Sequence, residues 1–269
     1  MDFMFRYAKS VYGQDQLLGA SWDLIWWFAG AALALIVADA AFRLAFVRKQ
    51  KAAPAGGARV KRHAGVDRLY HWLMALSVLT LIVTAFAPIL NWKFEWVTPH
   101  WIAGVVLTLL VLVHMVRALF FQSPMDMVIT PADVAATLDG ARKTVGALGR
   151  EPRKPGKYSL MQKAYHLAVA VLILVMIGTG LVMFAKIDTR FWQRNPYMLD
   201  TDTWGLVYAA HGLGAMMIFA IVAIHVYLGL RPDKWKVNRS MFTGDMAKSD
   251  YLADHDPARW APQEIERAR

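Results

Sequence analysis

Eight histidines are the residues of this 269-residue chain with the clearest capacity for chemistry, because the chain has no cysteine. Without cysteine it cannot itself ligate an ordinary iron–sulfur cluster, attach a haem through a CxxCH motif or form a disulfide. Six histidines fall within or at the ends of long apolar stretches: His71, His100, His114, His166, His211 and His225. Ionisable residues in such stretches are costly and usually functional. Since a neutral imidazole is a good iron ligand, two rings facing each other from neighbouring helices can bind one iron.

Two pairs of these histidines share one spacing. His211 and His225 are 14 residues apart, and so are His100 and His114. On a helix such an interval makes nearly four turns and rises about 21 Å, so both rings of a pair project from the same face at different depths of a membrane. Two stacked haems require this arrangement. The spacing therefore predicts a b-type cytochrome with two haems.

Five long apolar stretches supply the elements that must position the histidines. Their approximate limits are Trp22–Phe46, Leu69–Leu90, His100–Phe121, Leu160–Ala185 and Trp204–Leu230. Each stretch has about the 20 mostly apolar residues that cross roughly 30 Å of hydrocarbon as a helix. The chain is 57% hydrophobic and only 19% charged, which is more apolar than a typical soluble protein. We therefore predict an all-α fold, a polytopic membrane helix bundle with five transmembrane helices.

The basic residues lie between the apolar stretches and indicate their direction. Residues 48–68 contain seven Lys and Arg, the loop from Arg117 to Lys163 contains eight and the segment after Leu230 another eight, whereas the opposite side has six. Since cytoplasmic loops are enriched in Lys and Arg, we expect the amino terminus outside and the carboxyl terminus inside a bacterial inner membrane. The net charge of +10 is spread over these loops rather than gathered in one patch, so nucleic acid is not an expected partner.

The ends of the apolar stretches also suggest a division of the chain. We assign residues 1–50 to the first transmembrane helix, 51–68 to a basic cytoplasmic linker, 69–230 to a domain of four helices with two haems and 231–269 to a cytoplasmic tail. The first span exceeds a typical signal-peptide h-region, so we expect it to be retained.

Three further features outside the spans can be predicted. A short cytoplasmic surface helix is expected near Ala132–Leu148. His63 and His255 are expected to be solvated loop residues. We find no convincing internal repeat along the chain.

The pairing of the histidines follows from helix geometry for one haem only. His100 and His211 both lie at the outer side of their spans, which makes them partners at an outer haem. His225 lies near the inner end of its span, and its partner is either His114 or His71. The common direction of the third and fifth spans favours His114.

Five motifs follow one another between residue 61 and the end of the chain. They are DRLYHW (Asp67–Trp72), HWIAG (His100–Gly104), GKYSLMQK (Gly156–Lys163), HGLGAMMIFAIVAIHVY (His211–Tyr227) and HDPARWAPQEIE (His255–Glu266). In this order and at these intervals the chain resembles the gamma subunit of membrane-bound, quinone-linked formate dehydrogenases. That subunit is a four-span cytochrome b which anchors a molybdenum or tungsten enzyme. The first span has no counterpart in the shortest members of that family, so the resemblance implies a four-helix di-haem cytochrome b core that follows an extra N-terminal span.

The resemblance implies two b haems and a set of ligands for them. It pairs His71 with His225 at the inner haem and His100 with His211 at the outer haem. The positions that match His114 and His166 are not ligands in that family, so His114 remains the alternative partner of His225 on helix geometry alone.

The resemblance also implies a quinone, either ubiquinone or menaquinone, beside the inner haem. In that family an asparagine follows the tyrosine of the GKY motif and contributes to the quinone site, whereas this chain has Ser159 there. A serine hydroxyl can still donate or accept a hydrogen bond. Ser159, Gln162 and Lys163 are therefore the candidate quinone contacts.

The implied function is electron transfer within a larger complex. An iron–sulfur subunit, working with a molybdenum or tungsten catalytic subunit, would supply electrons that pass through both haems to a quinone near the cytoplasmic side. The sequence has no constellation for substrate oxidation, so we expect no dehydrogenase activity from the chain alone. The alternatives are a cytochrome b subunit of a nickel–iron hydrogenase or another molybdenum oxidoreductase, a stand-alone quinone, superoxide or ferric reductase, and a haem-free anchor or transporter with proton-relaying histidines.

Overall fold

The computed structural model describes residues 3–46 and 57–265, and these residues form two compact units. Unit 1 takes in the described residues up to Ala34 together with Met74–Val111 and Ala168–Ile224. Unit 2 takes in the described residues of Leu35–Leu73, Leu112–Leu167 and His225–Arg269.

Helices dominate the part of the chain that the structure describes. They are α1 (Leu24–Phe46), α2 (Gly65–Phe86), α3 (Val97–Phe120), α4 (Pro131–Thr144), α5 (Leu160–Met183), α6 (Thr201–Leu230), α7 (Trp235–Asn238), α8 (Ser240–Thr243) and α9 (Lys248–Asp254). By length and composition, α1, α2, α3, α5 and α6 can each cross a membrane. The five predicted spans and the mostly helical fold class are therefore confirmed.

Side-chain caps explain where several helices begin. The Thr130 backbone N–H and hydroxyl both donate to Asp133 at the start of α4, and Ser159 and Gln162 bond each other's backbone at the start of α5. Such caps satisfy backbone donors that have no partner inside the helix. The predicted surface helix near Ala132–Leu148 corresponds to α4.

Two small antiparallel sheets were not predicted. In unit 1, β1 (Phe5–Lys9) and β2 (Asp15–Ala20) form a hairpin. In unit 2, β3 (Arg59–Lys61) lies between β4 (Asp245–Ala247) and β5 (Glu264–Ile265).

This second sheet corrects two predicted segments. Residues 59–61 of the expected linker form its central strand, and α2 begins at Gly65 rather than at residue 69. The expected cytoplasmic tail contains three helices and two strands among its described residues. Residues 51–56 of the linker and 266–269 of the tail lie outside the described residues. Non-local strand pairing joins the two segments, and the local sequence pattern does not reveal it.

Among the described residues, unit 1 has an apolar core and unit 2 buries charged side chains as well. In unit 1, Leu24, Ile25, Phe86 and Met216 form a buried cluster. In unit 2, Asp133 is only 1% exposed.

Ion pairs compensate the buried charge of Asp133. Its carboxylate accepts hydrogen bonds from Lys163 at 2.8 Å and Arg259 at 2.5 Å. Burial alone would raise the pKa of Asp133, but these bonds and those from Thr130 hold that pKa well below its ordinary value. The α4 segment is thereby fixed to the start of α5 and to the end of the chain.

Neither loop histidine is fully exposed as expected, since His255 is buried and His63 is half-buried. His255 is 5% exposed, its Nε2 lies 2.9 Å from the Arg62 guanidinium, and its Nδ1 lies 2.6 Å from the carbonyl oxygen of Gly156. Burial lowers the pKa of His255. Burial, followed by the charges of Arg62 and Lys157, lowers the pKa of His63 to about 3. The expectation of solvated rings was wrong because it assumed that the chain after α6 does not fold back onto the segment before α2.

Candidate functional site

Unit 1 brings His100 of α3 and His211 of α6 together. Their ring centroids are 6.3 Å apart and their planes are inclined by 64°. A metal–imidazole bond is about 2.0–2.1 Å long, and a ring nitrogen lies roughly 1.1 Å from its centroid, so two rings on one metal have centroids about 6.2–6.4 Å apart. The pair has the separation that two axial ligands of one iron require.

Two threonines determine which nitrogen of each ring is free. The Thr84 hydroxyl donates to the carbonyl oxygen of Thr80 at 2.7 Å, so its oxygen accepts a hydrogen bond from His100 Nδ1 at 2.8 Å. The hydrogen-bond partner of one ring nitrogen indicates which nitrogen carries the proton. His100 has its proton on Nδ1 and a free lone pair on Nε2.

The same arrangement fixes the second ring. The Thr179 hydroxyl donates to the carbonyl oxygen of Val175 at 2.7 Å and accepts from His211 Nδ1 at 2.8 Å. Metal-ligating histidines typically donate their other N–H in this way, which orients the ring and raises its basicity. The sequence reasoning missed Thr84 and Thr179 because a threonine in an apolar helix gives no signal until the facing helix is known.

An apolar cavity lies beside the His100–His211 pair. The two imidazoles and Thr108 are polar groups in a lining made mostly of aliphatic and aromatic side chains, among them Leu81, Phe86, Met176, Ile177 and Phe184. Gly104 and Gly180 also line it, and a Cβ on Gly180 would lie 3.6 Å from Cε1 of His211. Nitrogen donors in an apolar cavity with glycines at its wall fit an apolar macrocycle such as haem.

Unit 2 brings His71 of α2 and His225 of α6 together. Their ring centroids are 6.4 Å apart with planes inclined by 48°. The ring of Tyr165 stacks on that of His225 at 4.9 Å and 15°. His71 Nδ1 is buried and has no hydrogen-bond partner among the described residues. His71 thus lacks, among the described residues, the Nδ1 acceptor that His100 and His211 have.

His114 lies next to another histidine. Its ring centroid is 6.3 Å from that of His166 of α5, with planes inclined by 58°. No ring contact joins His114 to His225 in the described part of the chain. Of the two partners considered for His225, the structure thus places His71 beside it.

The three candidate quinone contacts all have structural roles. Ser159 and Gln162 cap α5. The Ser159 backbone N–H donates to Gln162 Oε1 at 2.9 Å, and the Gln162 backbone N–H donates to Ser159 Oγ at 3.4 Å. Lys163 is 5% exposed and donates to Asp133 and to the carbonyl oxygen of Val128, both at 2.8 Å. Their contact with a quinone stays a prediction, and Lys163 would have to give up an ion pair to make it.

Paired imidazoles set on apolar, membrane-length helices define the class of membrane b-type cytochromes. Comparison with known families agrees, since residues 62–244 match the model for prokaryotic cytochrome b561. The chain belongs to this family, which implies haem b binding and a role in electron transfer within a membrane. No curated protein matches the chain.

Proposed function

We propose that this cytochrome is the membrane subunit of a quinone-linked, formate dehydrogenase-like complex in a bacterial inner membrane. It would receive electrons from an iron–sulfur partner that is joined to a molybdenum or tungsten catalytic subunit. It would deliver them to ubiquinone or menaquinone near the cytoplasmic side. The His100–His211 pair, with both Nδ1 atoms held by threonines, is the observation that best supports this function.

The protein's own part in this function is ligation, orientation and exclusion of water. Bound haem supplies one-electron transfer. His100 with His211 and His71 with His225 would hold two such groups. The mostly apolar lining around the first pair would keep water from the site, and Thr84 and Thr179, by accepting from Nδ1 of each ring, would keep the ligating nitrogens unprotonated.

Quinone reduction requires two electrons and two protons and yields a quinol. If the protons come from the cytoplasm while the electrons arrive from outside, the reaction moves charge across the membrane. Each elementary charge moved is worth about 2.3 kcal/mol per 100 mV. The excess of basic residues in the loops assigned to the cytoplasm supports this orientation.

Replacement of one ligand tests the haem assignment. We expect His211→Ala to remove the low-spin haem signal of the His100–His211 site and to leave other haem signals in the purified full chain. His63→Ala is the matched control, since this histidine lies outside all three ring pairs. Full retention of every haem signal in His211→Ala would contradict the assignment, and a colourless native protein would refute haem binding altogether.

The identity of the donor is tested by purification of the tagged chain from its native membrane. We expect a molybdenum- or tungsten-containing subunit and an iron–sulfur subunit to co-purify, with formate-dependent reduction of the haems. Co-purification of a nickel–iron hydrogenase, with reduction by hydrogen instead of formate, would replace the donor and keep the electron-transfer role. The family match fits both donors.

A further inference from the structure

The helix pairs α2–α3 and α5–α6 place equivalent residues at equivalent intervals. Tyr70-His71 in α2 corresponds to Tyr165-His166 in α5, and a threonine follows each histidine after 13 residues, Thr84 in the first case and Thr179 in the second. His100 and His114 in α3 correspond to His211 and His225 in α6, and the two histidines of each helix are 14 positions apart. Few other residues are identical between the two helix pairs, so no repeat is evident from the sequence alone.

The structure shows that equivalent residues make equivalent contacts. Thr84 accepts from His100 Nδ1, and Thr179 accepts from His211 Nδ1, both at 2.8 Å. Each threonine also donates to the carbonyl oxygen four residues before it, at 2.7 Å. The correspondence is therefore structural and not a coincidence of spacing.

The equivalence extends to the histidine pairs. When the helix pair α2–α3 is matched to the helix pair α5–α6, His100 corresponds to His211, so the His100–His211 pair corresponds to itself. In the same matching, the His71–His225 pair corresponds to the His166–His114 pair. The structure forms both of these, with centroid separations of 6.4 and 6.3 Å and plane inclinations of 48° and 58°.

We propose that His114 and His166 are the axial ligands of a third b haem, so that the chain binds three haems. This proposal rests on the haem-binding part of the proposed function, because it applies the same bis-imidazole criterion to the third pair. His71 and His114 are half-buried, whereas His225 and His166 are exposed, so each pair combines one half-buried with one exposed histidine.

Haem fits the third pair better than a bare metal ion does. Structural zinc takes four protein ligands, whereas haem iron brings four nitrogens of its own and needs only two axial ligands. Within the described residues there is no group of three or more His, Cys, Asp and Glu side chains that could hold a metal ion. Two imidazoles without a third donor are the ligand set of a bis-histidine haem.

The surroundings of the His71–His225 and His114–His166 pairs differ, so haems bound at the two sites can be told apart by their midpoint potentials. Tyr165 stacks on His225, whereas the equivalent Tyr70 lies 5.8 Å below the guanidinium of Arg117. Arg117 is also paired with Asp67 at 2.8 Å. Haem potentials respond to nearby charge and hydrogen bonding. The haem at His114 and His166 should therefore have a midpoint potential different from that of the haem at His71 and His225.

The haem content of the purified full-length protein tests the proposal. Haem is measured as the pyridine haemochrome and protein by amino-acid analysis, in the native chain, in His114→Ala, in His166→Ala and in the double variant. We expect three haems per native chain and a loss of about one-third of the haem in each single variant, with no further loss in the double variant. The low-spin signals of the other two sites should persist, which shows that the variants have folded.

His71→Ala and His63→Ala complete the set as matched variants. His71→Ala should also remove one haem, but with a different low-spin signal and midpoint potential, and His63→Ala should remove none. Two haems in the native chain would overturn the proposal, as would three haems that persist in both His114→Ala and His166→Ala. Absence of haem from the native chain would instead refute the proposed function itself, so the two failures are distinguishable.

Discussion

At the scale of single residues, a threonine behind each imidazole prepares the His100–His211 site. Each hydroxyl gives its own hydrogen to a helix carbonyl and accepts the Nδ1 proton of the ring. The acceptor raises the basicity of the imidazole and so favours the ferric state of a bound iron. The two bonds therefore set both the orientation of the ligands and the potential of the haem.

Replacement of Thr179 by valine tests this role. Thr179→Val keeps the shape of the side chain but leaves His211 Nδ1 without its acceptor. We expect the haem to remain bound and its midpoint potential to rise by an amount on the order of tens of millivolts, because the ligand becomes less basic. A potentiometric titration followed by visible spectroscopy measures the shift.

Thr108→Val is the matched control for this experiment. Thr108 also lines the cavity, and its hydroxyl donates to the carbonyl oxygen of Gly104 rather than contacting a histidine. Its replacement should leave the potential nearly unchanged. Equal shifts in the two variants would show that cavity polarity, and not the imidazole bond, governs the potential.

At the scale of elements, the β1–β2 hairpin packs closely on the first turns of α6. A Cβ on Gly19, which has a φ of 137°, would lie 3.3 Å from the Cβ of Tyr208. A Cβ on Gly205 would lie against the carbonyl oxygen of Leu17, and Gly205 is buried. The helix that carries His211 is thus supported at its start by the segment that precedes the first span.

Replacement of Gly205 by alanine tests this support. Since the obstacle is backbone, Gly205→Ala must displace β2 from α6, and overpacking of this kind costs about 1–3 kcal/mol. We expect faster hydrogen exchange of the backbone amides in residues 15–20 of the detergent-solubilised protein, together with a lower thermal stability.

Gly229→Ala in the same helix provides the comparison. A Cβ there would meet no atom within 4 Å, so the substitution should be neutral or stabilise the helix by roughly 0.5–1 kcal/mol. If Gly205→Ala behaved like Gly229→Ala, the close packing of the hairpin on α6 would be disproved.

At the scale of the whole molecule, the absence of native cysteine allows a direct test of orientation. Tyr12, in the hairpin, is 87% exposed, and the side chain of Glu151, in the loop after α4, is 86% exposed. We expect a membrane-impermeant maleimide to label Tyr12→Cys from the outside of intact spheroplasts. Glu151→Cys should be labelled only in inverted vesicles, because its loop has the basic charge typical of the cytoplasmic side.

The reverse pattern would place the quinone end of the protein outside and would contradict the proposed direction of electron transfer. Labelling of both positions in both preparations would indicate a mixed orientation. Native protein without cysteine serves as the control for nonspecific labelling.

The sequence predicted the large helices well and the smaller elements poorly. Helices that cross a membrane are visible locally, because each needs its own run of about 20 apolar residues. The strand at residues 59–61 pairs with strands near residues 246 and 264, and strands of two or three residues leave no such local pattern. The burial of His255 was missed for the same reason, since its partners are 193 and 99 residues away.

By itself the sequence determined the five apolar helices, the charge asymmetry of the loops and the presence of histidines at 14-residue intervals, because each of these is a local property of the chain. Only the tertiary structure decided which rings meet. It placed His71 beside His225, His114 beside His166, and a threonine behind each ring of the His100–His211 pair. Contacts between helices depend on the rotation of each helix about its own axis, and an apolar sequence specifies that rotation only through packing against its neighbours.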